Sequence, residues 1–185
     1  MQLTWHGYRY YPYERALAAR EAATLLKTSR LREVDGGLAF DGAVDLERAR
    51  RLTYFAGARN GHSFVETVQA QLETTGLNGK HRQATRYSVH GLHDYKGKFN
   101  PQVVKAILNI FGVHPGDSIL DPFCGSGTTL VECAHLGALG YGIDLNPLAV
   151  FIANAKLQAL ATPASELRRL LSKLSTRCRR PRRWT

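Results

Sequence analysis

The sequence predicts an α/β fold: parallel strands with helices packed on the sheet, preceded by a mainly helical N-terminal region. Three observations predict it. Strand-like and helix-like stretches alternate from Ser118 to about Leu160; the dipeptides Asn100-Pro101 and Asn146-Pro147 mark helix starts; and apolar residues before Lys80 recur at helical spacing.

In chain order, Leu17, Ala18, Ala22, Leu25 and Leu26 predict a helix from Tyr13 to about Leu31, followed by a turn region at Gly36, Gly37 and Gly42. Asp45 opens a second helical stretch through Leu46, Ala49, Leu52 and Phe55. Ser63 and Glu66 have capping-box spacing ahead of Val68 and Leu72, and Gly76 stands where that third helix would stop. Arg86 to His90 reads as a short strand. Asn100 caps a helix with Pro101 at its first position, ended by Gly112. After the turn Pro115-Gly116-Asp117, Ser118 to Asp121 reads as a buried strand, Thr128 to Leu136 as a helix, Leu139 to Ile143 as a second strand, and Asn146-Pro147 as the start of a helix to about Leu160. The expected organisation is a helical region over 1–80, a core over 81–163, and a helix with a basic tail over 164–185.

Composition narrows the function. The 185 residues carry a net charge of +10, and from Glu166 to Thr185 eight cations stand against one anion, leaving only +3 for the rest of the chain. A basic balance suits a polyanionic partner such as nucleic acid, although the terminal arginines read as a tail of no selected function. Cys124, Cys133 and Cys178 form no C-x-x-C pair and lack zinc-finger histidines, so neither a disulfide framework nor a structural zinc is expected and a reducing cytoplasm fits. Arg9, Glu14, Arg15 and Arg20 interrupt any signal-peptide core, and no apolar run approaches a membrane span.

Chemistry concentrates in Asp121-Pro122-Phe123-Cys124-Gly125-Ser126-Gly127-Thr128-Thr129, placed where a strand turns into a helix. Its two glycines let backbone approach a ligand without Cβ clashes. No lysine follows Gly127, which excludes a Walker phosphate loop, and Leu130 stands where a dinucleotide loop would have its third glycine. Asp121 ends the first strand and can face a cationic amine; Asp144 ends the second and can accept from ribose hydroxyls. An amine plus a ribose describes S-adenosyl-L-methionine (AdoMet).

Residues 121 to 129, Gly142-Ile143-Asp144-Leu145-Asn146-Pro147 and Lys98-Phe99-Asn100-Pro101 resemble motifs I, II and X of the DNA methyltransferases that modify the exocyclic amine of cytosine or adenine. The resemblance covers about residues 86 to 160 and implies an incomplete Rossmann-like AdoMet methyltransferase sheet. By it, motif I (Asp121, Pro122, Phe123, Cys124, Gly125, Ser126, Gly127, Thr128, Thr129) wraps the methionine part of AdoMet. Asp144, followed by Asn146, holds the ribose, and Phe99, Asn100 and Pro101 close over the methionine end. RNA-modifying relatives share similar loops, and the KFNP and DLNP elements favour DNA as the partner.

That family withdraws the amine lone pair from the ring with a [DNS]-P-P-[YFW] motif. The seven prolines here include no adjacent pair, so no catalytic residue is assigned. The expectation is the cofactor portion of a restriction-modification or orphan enzyme, truncated, frameshifted or split, whose catalytic half lies on further polypeptide or a second chain. The rivals are a catalytically inactive AdoMet- or DNA-binding partner module and an RNA methyltransferase fragment.

Remaining features take plain readings. Trp5, Tyr8, Tyr10, Tyr11 and Tyr13 read as packing rather than base stacking; His90, His93 and Asp94 as polar loop residues, so no metal is expected; Cys124 as a small packing residue. Arg82, Arg86, Lys96 and Lys98 read either as a phosphate track or as a solvated basic face.

Overall fold

The computed structural model describes residues 1–42, 45–74 and 83–178. Strand β1 (Gln2–Trp5) leads to helix α1 (Pro12–Leu25), strands β2 (Arg32–Val34) and β3 (Gly37–Ala39), helix α2 (Leu46–Ala49), strands β4 (Phe55–Asn60) and β5 (Ser63–Glu66), and helix α3 (Val68–Thr74). Then follow a 3-10 turn at Ser88–Gly91, helix α4 (Pro101–Ile110), strand β6 (Ser118–Asp121), helix α5 (Thr128–Leu136), strand β7 (Leu139–Gly142), and helices α6 (Pro147–Ala161) and α7 (Ala164–Cys178).

The N-terminal region is not mainly helical, as the sequence led us to expect. It holds a five-stranded antiparallel sheet in the order β2-β3-β1-β4-β5. The predicted second helix ends at Ala49, because Leu52, Tyr54 and Phe55 are drawn into the core at the entry to β4. Ser63 to Glu66 is no capping box but the strand β5, paired with β4 from Gly57 to Asn60. The cap of α3 comes from Thr67, whose Oγ1 accepts from Ala70 N at 3.1 Å. These strands are short and rich in Gly, Ala and charge, so their period of two carries little signal. Arg86 to His90 is likewise no strand: it turns into the 3-10 segment. Gly76 and the arginines beyond residue 178 lie outside the described residues.

Leu3, Leu38, Phe40, Leu52, Tyr54 and Phe55 form the first core with Ala18 and Ala22 of α1 and Ala106 of α4. Of the N-terminal aromatics, Trp5 and Tyr10 belong to this packing. Trp5 stacks on Phe55 with centroids 4.4 Å apart, and the Tyr10 hydroxyl donates to Tyr54 O at 2.7 Å. Tyr11 and Tyr13 stack on each other at the surface.

The second half follows the predicted alternation, but β6, expected to be buried, is exposed at Ser118 and Leu120 because only β7 pairs with it among the described strands. β6 and β7 pair in parallel, from Ser118 opposite Leu139 to Asp121 opposite Gly142. Val104 and Leu108 of α4, Val113, Cys133 and Ala138 pack against Ile119 to make a second core. Asn100 and Asn146 cap α4 and α6 through side-chain oxygens that accept from Gln102 N and Leu148 N. Among the described residues no helix is long and apolar enough to cross a membrane.

The two halves meet across buried polar groups. Glu21 of α1, fully buried, accepts from Thr53 N at 3.1 Å, Thr53 Oγ1 at 2.6 Å and Asn109 Nδ2 of α4 at 2.7 Å. Beside it, Arg51 donates to Asn109 Oδ1 at 3.1 Å and to Val113 O at 2.7 Å. Glu21→Ala leaves Thr53 N and Thr53 Oγ1 without their acceptor and Asn109 Nδ2 with Arg51 O alone, a loss on the order of 2–4 kcal/mol. A fall of that size in unfolding free energy from urea titration is the expected result.

Candidate cofactor site

Asp121 and Gly142 sit side by side at the C-terminal ends of β6 and β7, and the glycine loop leaves β6 for the N-terminus of α5. Asp121 Oδ1 accepts from Phe123 N at 3.0 Å, which starts the turn. Cys124 N then donates to Ile143 O at 3.0 Å, tying the loop to the end of the second strand. Asp144 completes the tie: its Oδ2 accepts from Gly125 N and its Oδ1 from Asn146 N, both at 2.8 Å. The carboxylate thus bridges the loop of motif I and the entry to α6. Each oxygen keeps a further lone pair for an incoming hydroxyl.

Close backbone approach fixes the glycines. Gly127 has φ +80°, and a Cβ there would come 2.8 Å from Ala153 Cβ on α6. At Gly142 a Cβ would come 2.7 Å from Cys124 Sγ and 2.9 Å from Leu130 Cδ1. Cys124 is therefore the filler beneath β7. Burial and the nearby Asp121 and Asp144 carboxylates push its thiol up, toward the protonated form. Over the loop there is room: a methyl at Gly125 would meet only Tyr95 Cε1, at 3.7 Å.

The sequence-predicted residues come together in part. Asp121, Pro122 and Thr129 share with Phe99 an apolar groove of about 290 Å³ between α4 and β6. Phe123 points outward, 84% exposed. Ser126, Thr128 and Pro101 are buried. Asn100 is spent on structure, capping α4 and donating to Gln83 Oε1 at 2.7 Å. Of the basic residues, Arg86 pairs with Asp94 at 3.1 Å and Lys98 donates to His90 O at 3.2 Å; Arg82 lies outside the described residues.

Two features escaped the sequence reading. Lys156 of α6 is buried and donates to Ser126 O at 2.9 Å and Ser126 Oγ at 3.2 Å, bracing the loop from below. A lone lysine in the apolar run of α6 was the available signal. His90 is not a polar loop residue: it is fully buried, with Nε2 2.7 Å from Glu132 Oε1. Burial drives the His90 ring toward its neutral form. Burial also favours the neutral acid at Glu132, but the His135 and His90 imidazoles against it outweigh that and hold its carboxyl at about 2.

A family model described as DNA methylase matches residues 48–155, more than half of the chain, and the chain belongs to that family. It is 55% identical over 71 residues to the type II methyltransferase M.MjaII of Methanocaldococcus jannaschii, covering 38% of this chain and 13% of that protein. It is 42% identical over 62 residues to the type II methyltransferase M.BsoBI of Geobacillus stearothermophilus, covering 34% and 12%. A tRNA (guanine(10)-N2)-dimethyltransferase of Methanothermobacter thermautotrophicus is 40% identical over 52 residues, covering 28% and 16%. The chain thus matches between about an eighth and a sixth of the length of these relatives.

Gly142→Ala forces apart β7 and the Cys124–Leu130 layer, at a cost of about 1–3 kcal/mol. We expect a lower melting temperature, checked by calorimetric scanning, with far-UV circular dichroism unchanged.

Proposed function

We propose that this chain is the AdoMet-binding portion of a site-specific DNA methyltransferase acting on the exocyclic amine of cytosine or adenine, in a restriction-modification or orphan enzyme of the cytoplasm. The observation that carries the reading is Asp144, which holds Gly125 N with one oxygen and Asn146 N with the other at the mouth of an open glycine loop. Asp144 then takes the ribose hydroxyls, the Phe123 to Thr129 loop surrounds the methionine portion, Asp121 faces its ammonium group, and Phe99 covers that end from α4. When bound, AdoMet supplies an electrophilic methyl group. The chain's own residues orient it and keep the loop rigid: Lys156 braces Ser126, and Cys124 fills the space beneath.

The β6–β7 pair is read as the start of a Rossmann-like sheet. Its outer surface supports further strands. Leu120, Leu139, Tyr141 and Ile143 are each more than half exposed, and β6 is paired only with β7 among the described strands. Polypeptide carrying the [DNS]-P-P-[YFW] motif, on the same chain or a second one, would add to that edge and supply the contacts to a flipped base. The matches to tRNA (guanine(10)-N2)-dimethyltransferases keep RNA as the second substrate reading.

AdoMet titrated into the 185-residue chain by calorimetry should bind one to one, and Asp144→Ala should lose at least about tenfold in affinity, some 1.4 kcal/mol. No heat with the unaltered chain would sink the cofactor assignment. The substrate is tested separately: supplied with the P-P-bearing polypeptide, tritiated methyl should pass to duplex DNA rather than to tRNA, and the reverse preference would transfer the assignment to RNA.

A further inference from the structure

We propose that His90, Glu132 and His135 form a zinc site that clasps the Ser88–Gly91 turn to α5. Their ligand atoms all lie within 4.8 Å of one another. His90 Nε2 is 2.7 Å and His135 Nδ1 3.5 Å from Glu132 Oε1. A tetrahedral ion with bonds of about 2.0–2.1 Å holds its ligands roughly 3.3 Å apart, so a small outward movement of His90 opens the space. Two imidazole nitrogens and a carboxylate are a zinc donor set, with the fourth position left to water.

Several atoms here lack partners that a cation would supply. Glu132 is fully buried, yet its Oε2 has no hydrogen bond, and neither has the buried His135 Nδ1. His135 Nε2 lies 3.0 Å from Ser88 Oγ. When the ring proton sits on Nε2 and is donated to that hydroxyl, the Nδ1 lone pair is free to ligate a cation. An ion between Nδ1 and the carboxylate gives both unpartnered atoms a contact. The surrounding contacts are those of a supported metal site: the Tyr87 hydroxyl donates to Glu132 Oε1 at 2.8 Å, and Ser88 orients His135. The neighbouring cation Lys105 is turned away, donating to Gln69 Oε1 at 2.9 Å. His135, with 13% of its side chain exposed, gives the ion a way in.

The 185-residue chain, expressed without a polyhistidine tag, is assayed for zinc by elemental analysis, stripped with chelator, and titrated with zinc alone by calorimetry. We expect about one zinc per chain, one-to-one rebinding, and a melting temperature roughly 5 °C higher with zinc than without. His135→Asn leaves the Tyr87–Glu132–His90 hydrogen bonds in place and should weaken zinc at least about tenfold with unchanged circular dichroism. Glu132→Gln should abolish binding. Zinc content near zero with no thermal shift on addition, or equal affinity in the His135→Asn chain, overturns the site. None of these readouts involves AdoMet, so the two assignments fail independently.

Discussion

One helix decides where everything else can stand. Helix α4 turns a different strip of side chains to each of three surroundings, and only one is an ordinary apolar face. Val104 and Leu108 enter the core under β6. Gln102, Lys105 and Asn109, buried around Ala106, face the N-terminal half, where Asn109 meets Glu21. Phe99, Val103, Ile107 and Phe111 border the groove along β6. Because a buried polar group binds only in a narrow geometry, the Glu21–Asn109 contact fixes the rotation of α4 more sharply than hydrophobic contact alone would. Rotation about that axis moves Asn100 and Phe99, and with them the wall of the groove along β6.

That arrangement explains what the sequence disclosed and what it hid. The glycine loop, both capping asparagines, both parallel strands and their helices are local events, each announced within a few residues, and all lie where they were expected. The N-terminal sheet depends on pairings between β1 and strands more than thirty residues away, which periodicity does not report. Gln102, Lys105 and Asn109, polar residues three and four apart on a helix, have the spacing of a wetted face, and here that face is sealed. Glu21, amid the alanines of α1, conveys nothing until Thr53 and Asn109 stand beside it.

Within the site, spacing in sequence located the two acids but not how they work. Asp121 and Asp144 both spend hydrogen-bonding capacity on backbone N–H groups, shaping the loop before any ligand arrives. Preorganisation of this kind lowers the cost of ordering on binding. Lys156 and Ser126 do the same from the opposite side of the loop, through a contact thirty residues apart in the chain. Asn100, read as a ligand-facing residue, is occupied as a helix cap and as a donor to Gln83.

The two-oxygen grip of Asp144 sets the latitude that this position has in divergence. Glutamate keeps the charge but adds a methylene, a reach of about 1.5 Å that two bonds already at 2.8 Å have no slack to absorb. Asparagine keeps the length but offers one acceptor oxygen where the backbone presents two donors. A lineage can therefore replace the residue only by rebuilding the loop and the entry to α6 together, so the acid and the two segments it joins drift as one unit.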